Sequence, residues 1–546
     1  METFFNKRHF FIAALAAGLL PAAAGGWLLI CAPELAEFIG KKSWDAIFYY
    51  SDQLRFLGRM GIALSLLWYG ALISLKKGCR LTSVLIVSAL AAGVILQIDS
   101  FIRREMWNDT ISLALWLRDS SWKDLLLPGG SNPYCQSAPP GFILVSKIAG
   151  TAAGYSKWTL TLLPLLFGLG SLFAFALLSA RLLPLPGRTA AIWLFALNPG
   201  LWFYAGEFKQ YTADIFFTVT VMLLAADFSG NEAKRGKQLL LWGITGLFFS
   251  HAMFFLLPAT AGALWLRSGF TFNRAFLKLA FTWAAAVLAM ALYTKLIMPR
   301  AMYVHEHHAA GFAPLPLSGE NLKWYFNTAV HLFAAPWNML WKGSWLVLFP
   351  LTGMICGSRE LRQKGGTLLW SFLFILLMLL LCSMFRQYPL AAGLPFAKGR
   401  LILFTIPLAI IVFCAGVTCR KAMIWLIPVF AGALLNFCTA IMPFSGFRSA
   451  VNELVKVCPP EEKVLINGEA GSMALKLYAP RNHFKKVVKV SPENPGAALG
   501  ESQKVYILLT DIPTEKFIVP ANFTLSYKKD LPFASVVTLE KKSEKR

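Results

Sequence analysis

The sequence predicts a multi-pass, all-α membrane protein that carries a small C-terminal α/β domain. Three observations predict it. Of 546 residues, 57% are apolar and only 15% charged, with a mean hydropathy of +0.57, whereas soluble domains sit near about 45–50% apolar and about 25% charged. Apolar runs recur along the chain with basic residues in alternate connections. The composition then turns polar and mixed near residue 443. An ordinary soluble enzyme, a disordered chain and a disulfide-stapled secreted module are excluded. The net charge of +24 needs no nucleic acid, because membrane proteins gather Lys and Arg in cytoplasmic loops and against lipid phosphates.

A membrane-crossing helix needs about 20 apolar residues. The chain offers about thirteen candidate runs, near 9–31, 59–75, 81–98, 158–180, 187–204, 212–227, 238–250, 252–266, 275–297, 339–357, 366–384, 401–418 and 422–442. The pair around Ser250-His251 reads as one long or one re-entrant segment. The first run follows Lys7-Arg8 and contains Pro21-Ala22-Ala23-Ala24. It reads as a retained anchor, with a cleaved signal peptide as the alternative. With the N-terminus inside, the predicted cytoplasmic loops are Lys76–Arg80, Arg181–Arg188, Lys234–Lys237, Arg267–Lys278, Arg359–Lys364 and Arg420-Lys421. All are basic, as the positive-inside rule requires. The acidic residues and histidines then gather on the other side, in Gln97–Lys157, Met298–Trp337, Met384–Arg400 and the short Glu207–Tyr211 connection. A transporter would instead place ionisable groups near the bilayer midplane.

Residues 1–442 are therefore read as the membrane domain, with 99–157 as its main exoplasmic loop, and 443–546 as an exoplasmic α/β domain. In that tail Arg448–Cys458 and Gly471–Tyr478 look helical; Lys463–Ile466, Lys485–Val490 and Val505–Leu509 look extended. Gly468-Glu469-Ala470-Gly471 is a turn, not a dinucleotide fingerprint. Nine cysteines without a CxxC pair give no zinc or redox motif.

Four clusters could carry chemistry. The first is Asp99, Arg103, Arg104, Glu105 and Trp107-Asn108-Asp109-Thr110. A carboxylate just beyond a span suits a general base at a membrane surface, and the arginines suit an anion; interfacial snorkelling is the plainer reading. The second is Tyr204-Ala205-Gly206-Glu207-Phe208-Lys209-Gln210-Tyr211, then Asp214. Glu207 and Tyr211 stand four apart, and Lys209 is flanked by Glu207 and Asp214 at a helix start. It reads either as a polar site or as a snorkelling lysine. The third joins Arg386-Gln387-Tyr388-Pro389 to Pro395–Arg400, where bends would bring basic groups to a shared cavity and a phosphate leaving group would use them. The fourth is His305, Glu306, His307 and His308. It lacks HExxH spacing, so no metal site is assigned; it reads as a polar loop or an acceptor contact.

Taken in order, these pieces resemble the GT-C superfamily of integral membrane glycosyltransferases, nearest to bacterial protein O-mannosyltransferases and lipid A aminoarabinose transferases. The matching pieces are Trp107-Asn108-Asp109, Ser137-Ala138-Pro139-Pro140-Gly141, Tyr204–Tyr211 and Pro395–Arg400, within roughly residues 85–440. Thr110 replaces the second carboxylate of the family's Asp-Glu pair, and more than one span precedes the catalytic loop where simpler members have one.

The resemblance implies an inverting transfer of a hexosyl or pentosyl group from a polyprenyl-phosphate donor to a hydroxyl on protein, lipid or glycan. Asp109 is the expected base, with Glu105 as competitor, since on a helix it would lie four residues away on the same face. Arg103, Arg104, Glu207, Lys209, Tyr211, Arg386 and Arg400 are the expected substrate-binding residues, with His305, His307 and His308 as further candidates. No cofactor is expected; a divalent metal is compatible with the chemistry but not predicted. The expected location is a bacterial inner membrane with a periplasmic site. Two other readings stay open: a transporter or flippase of lipid-linked glycans, and a lipid-linked glycan ligase or polymerase.

Overall fold

The structure, a computed structural model, describes residues 8–39, 44–127, 136–228, 232–271, 273–297, 311–315, 318–334, 348–363, 366–390, 400–417, 446–480, 483–491, 499, 502–510, 517, 519–531 and 534–542. The membrane part contains α1 (Arg8–Ile39), α2 (Trp44–Lys76), α3 (Leu81–Arg103), α4 (Asn108–Asp119), α5 (Trp122–Leu126), α6 (Pro140–Ala153), α7 (Lys157–Leu182), α8 (Leu185–Leu197), α9 (Pro199–Ala205) and α10 (Tyr211–Ala226). It continues with α11 (Glu232–Phe249), α12 (Met253–Arg267), α13 (Arg274–Ile297), α14 (Gly319–Ala334), α15 (Leu348–Gln363), α16 (Thr367–Met384), a 3-10 helix (Arg400–Thr405) and α17 (Ile406–Ala415).

Among the described residues five helices are long and apolar enough to cross a membrane: Gln53–Lys76 within α2, α3, α7, Arg274–Leu296 within α13, and α16. Six further apolar helices of 10–17 residues accompany them, and parts of the expected thirteen runs lie outside the described residues. The 187–204 run is two helices, because Asn198 caps α9 through its side chain (Oδ1 to the Gly200 N–H, 2.9 Å) and Pro199 opens the new turn. The stretch around Ser250-His251 is a break between α11 and α12. The 422–442 run lies outside the described residues.

The bundle core is aromatic and aliphatic. Phe175 and Phe195 stack at 4.0 Å between α7 and α8, and Phe56 of α2 stacks on Trp202 at 5.3 Å. Two ends of the bundle are recognisable from their polar contacts. At one end Asp227 receives Arg181 and Arg235, and Arg267 reaches Thr367 Oγ1 at 3.1 Å. The C-terminus of α3 and the N-termini of α7 and α10 meet at the other.

The tail holds α18 (Phe447–Val457), β1 (Lys463–Asn467), α19 (Gly468–Tyr478), β2 (Lys486–Val490), β3 (Lys504–Thr510), β4 (Phe523–Leu531) and β5 (Ala534–Lys541). The sheet order is β2-β1-β3-β5-β4, parallel from β2 to β3 and antiparallel beyond. Alternation with a period of two sorts its side chains. Leu465, Ile507 and Val537 share one core, while Val464, Ile466, Leu508 and Val536 share another with α18 and α19. That second core also contains Ile111, Leu115, Phe142 and Leu160 from α4, α6 and α7. The tail thus packs on the loop between α3 and α7 as one continuous hydrophobic cluster.

Candidate active site

Asp99 and Arg103 end α3 one helical turn apart. Asp99 is held by both: Arg59 of α2 grips it with two nitrogens at 2.8 and 3.1 Å, and Arg103 adds a bond at 3.0 Å. With its oxygens so occupied, Asp99 is a structural anion. Arg103 is half exposed. Lys157, the first residue of α7, donates to the Ile102 carbonyl at 2.9 Å and closes this helix end.

The chain then runs extended from Arg104 to Trp107. Arg104 turns inward, pairs with Glu207 through Nε, and lays its guanidinium over the Phe203 ring at 3.4 Å. Both partners are buried, with side-chain exposures of 6% and 5%. Burial pushes the Glu207 carboxyl up; the bond and charge of Arg104 and the charge of Lys209 pull against this, and the negative charge of Asp109 adds to the rise. Arg104, Glu207, Lys209 and Asp109 thus share one electrostatic neighbourhood.

Glu207 is not stacked on Tyr211 as its four-residue spacing suggests. Gly206 ends α9, and 206–210 is a turn before α10 begins at Tyr211. Gly206 is needed there: a Cβ would stand 2.5 Å from the Ser100 hydroxyl oxygen and 2.7 Å from its carbonyl oxygen. Lys209 is buried and donates to Gln136 Oε1 at 2.9 Å, so the second cluster meets the segment before the Pro139-Pro140 turn. Tyr211 packs edge-on against Tyr204 at 4.8 Å. Asp214 accepts from the Ser250 hydroxyl at 2.7 Å and the Ala252 N–H at 3.4 Å, fixing the start of α12.

Asp109 lies in the first turn of α4, half-buried, after Trp107 at the N-cap position. A negatively charged group there interacts favourably with the positive end of the helix dipole. Glu105 lies before the helix, so it does not share a helical face with Asp109. Its Oε2 accepts from the Arg448 N–H at 3.1 Å and its Oε1 from the Ser449 hydroxyl at 2.8 Å, both at the start of α18. Burial raises the Glu105 carboxyl, against those two bonds.

Of the third cluster, residues 395–399 lie outside the described residues. Arg386, exposed and at φ 54, turns the chain after α16, and the Tyr388 hydroxyl donates to the Leu401 carbonyl at 2.6 Å. The Arg400–Thr405 helix packs on α10, so Arg400 is placed at the edge of the same region by its backbone. Beside it lies a cavity of about 310 Å³ lined by Trp324, Tyr325, Phe372, Leu376, Leu390 and Thr405, almost wholly apolar. His305, His307 and His308 lie outside the described residues. Among the described residues no group of three His, Cys, Asp or Glu could hold a metal.

Sequence reasoning missed Arg59, Gln136, Lys157 and the α18 start. Each acts through a partner forty or more residues away. The one local signal was Ser156, which caps α7 and so puts Lys157 at its first turn.

These features define a multi-pass helical membrane protein with a cation- and carboxylate-lined site at one end of its bundle. Several solved structures are similar to this chain, each at 12% identity or less. One is ArnT from Cupriavidus metallidurans bound to undecaprenyl phosphate, at 12% identity and a TM-score of 0.47 over 83% of this chain and 97% of that one. Its apo state matches over the same shares at 11% identity and a TM-score of 0.49. Another is the archaeal oligosaccharyltransferase AglB from Archaeoglobus fulgidus in complex with an inhibitory peptide and a dolichol-phosphate. It matches at 11% identity and a TM-score of 0.45, over 79% of this chain and 69% of that one. No protein-family model and no curated protein sequence matches.

Proposed function

We propose that the protein is an inverting glycosyltransferase that moves a sugar from a polyprenyl-phosphate carrier to a hydroxyl acceptor on the exoplasmic side of a bacterial inner membrane. The observation that supports this reading is the buried Arg104–Glu207 pair at one bundle end, in the same turn as buried Lys209 on Gln136, with the segment after Arg104 leading into Asp109 at the start of α4. The opposite end carries Arg181, Arg235 and Arg267, so the positive-inside rule makes it cytoplasmic.

Asp109 takes the proton of the acceptor hydroxyl as that oxygen bonds to the anomeric carbon. The bond from that carbon to the phosphate oxygen breaks, and the electron pair leaves with the lipid phosphate. General-base help of this kind contributes about 10²–10⁴-fold. Lys209 and Arg400, helped by Arg103 and Arg386, stabilise the phosphate charge. Arg104 is engaged with Glu207, so its part is to fix Glu207 and the turn that presents Lys209. Tyr211 helps to wall the site; His305, His307 and His308 are kept as acceptor contacts. The apolar cavity beside the Arg400–Thr405 helix suits the first isoprene units of the carrier. No nucleotide site is required, because the sugar arrives activated on the lipid. Charges at the bundle ends favour transfer over transport, which needs ionisable groups near the midplane.

The test is purified protein given synthetic polyprenyl-phosphate sugars, together with mass spectrometry of glycans and lipids from cells with and without the gene. Release of polyprenyl phosphate matched by a glycosylated product supports transfer. Lipid-linked sugars that accumulate on one leaflet, with no missing product, point to a flippase instead.

A further inference from the structure

We infer that the C-terminal tail is a working part of the site, and that Glu105 is the positioning residue that joins the two. This rests on the transferase reading above for its consequence, though not for its geometry.

The four residues between α3 and α4 are anchored in opposite directions, as successive residues of an extended segment allow. Arg104 is fixed inward on Glu207. Glu105 is fixed outward on the tail, where α18 lacks a cap of its own: Gly446 at its N-cap has no side chain. The first N–H groups of a helix have no partner within it. Glu105, more than three hundred residues earlier, supplies that partner through the Arg448 N–H and Ser449 hydroxyl, and places a negative charge at the positive helix end. Met106 follows, buried in the core shared with α18 and α19. Tyr478, at the end of α19, packs on the same core, with its hydroxyl buried beside the Met106 backbone.

Two further ties hold α4 itself. The Ser112 hydroxyl lies 3.0 Å from Met473 Sδ, and Arg118 donates to the Lys476 carbonyl at 2.6 Å. The tail therefore grips the helix that carries Asp109 near both of its ends and just before its start. The spacing of Asp109 from Lys209 is set through Glu105 and Arg104, two adjacent residues pulled to opposite partners. A displacement of about 1 Å at a reacting group can cost on the order of 10² in rate.

The test uses the full chain with Glu105→Gln and Ser449→Ala, each read two ways. Hydrogen exchange should quicken by about tenfold or more at 448–450 and also at 109–112, because a charge-assisted bond is lost at one site and its constraint at the other. In the transfer assay kcat per folded protein should fall about 10- to 100-fold, with KM for the lipid donor unchanged, since Lys209 is untouched. Ser449→Ala should show a milder version of both, and Ser449→Thr should restore them. Faster exchange at 448–450 with no change at 109–112 overturns the coupling, as does a rise in KM with kcat unchanged. If exchange changes at both places but wild-type protein transfers no sugar from any polyprenyl phosphate, the latch stands and the transferase reading fails.

Discussion

Replacing Glu207 by Gln keeps the side chain's shape and removes its charge. In the folded protein Arg104 would then be a cation with a side-chain exposure of 6%, facing a neutral amide, with buried Lys209 nearby. Removing one partner of a buried pair typically costs about 3–5 kcal/mol, because the remaining charge is still desolvated. The Phe203 ring under the guanidinium offsets part of this, by about 0.5–2 kcal/mol in a desolvated setting. But it does so equally in the wild type, so it leaves the difference intact. At about 1.4 kcal/mol per tenfold, the folded-to-unfolded ratio should fall by roughly 10² to a few times 10³. Arg104→Met combined with Glu207→Leu removes both charges and should recover most of the loss. Unfolding of the detergent-solubilised protein, followed by denaturant titration, measures all three variants. A cost below about 1 kcal/mol for Glu207→Gln, as for an exposed pair, would refute a buried ion pair here. So would a double variant no more stable than the single one.

Gly206→Ala should destabilise by about 1–3 kcal/mol, the usual cost of overpacking, since its Cβ meets Ser100 backbone and hydroxyl; wild-type stability and donor affinity would show that α3 and α9 are not so close. In the tail, the bonds from Lys529 and Tyr527 hold the Glu453 carboxyl below its ordinary range. Such a group stabilises the fold fully above the unfolded value of about 4.3, and that contribution is lost as pH falls through the lower folded value. Acid melting of the tail should therefore shift toward neutral pH in Glu453→Gln; superimposable pH curves would show that Glu453 does not contribute. For orientation, a cysteine probe at Arg362 should resist a membrane-impermeant reagent in intact cells while one at Lys504 reacts. The reverse labelling would invert the bundle.

The helices were legible because apolar runs report burial directly. Even the tail pattern was largely readable: Lys463–Asn467 and Lys504–Thr510 are strands and Phe447–Val457 is a helix, as alternation suggested. β4 and β5 were missed, since Thr524, Lys528 and Lys529 make half of β4 polar, and only pairing with β5 and β3 gives the segment its place. The partnering of the site was not legible. Local spacing put Glu207 over Tyr211 and Glu105 over Asp109, both as helix neighbours. Gly206 and the extended 104–107 segment cancel those helices, and the true partners, Arg104 and Ser449, stand more than a hundred residues away. Such contacts follow from tertiary packing, to which sequence periodicity carries no pointer.

Asp109→Asn is the most direct test of the transfer mechanism. The substitution keeps the size of the side chain at the start of α4 and removes its basicity, so the fold and the binding of a polyprenyl-phosphate sugar should persist. Single-turnover transfer, measured beside donor binding in the same membranes, should fall by about 10²–10⁴ with the donor dissociation constant unchanged. Transfer at the wild-type rate by Asp109→Asn, in protein shown to be folded and to bind donor, would contradict the role of Asp109 as the base.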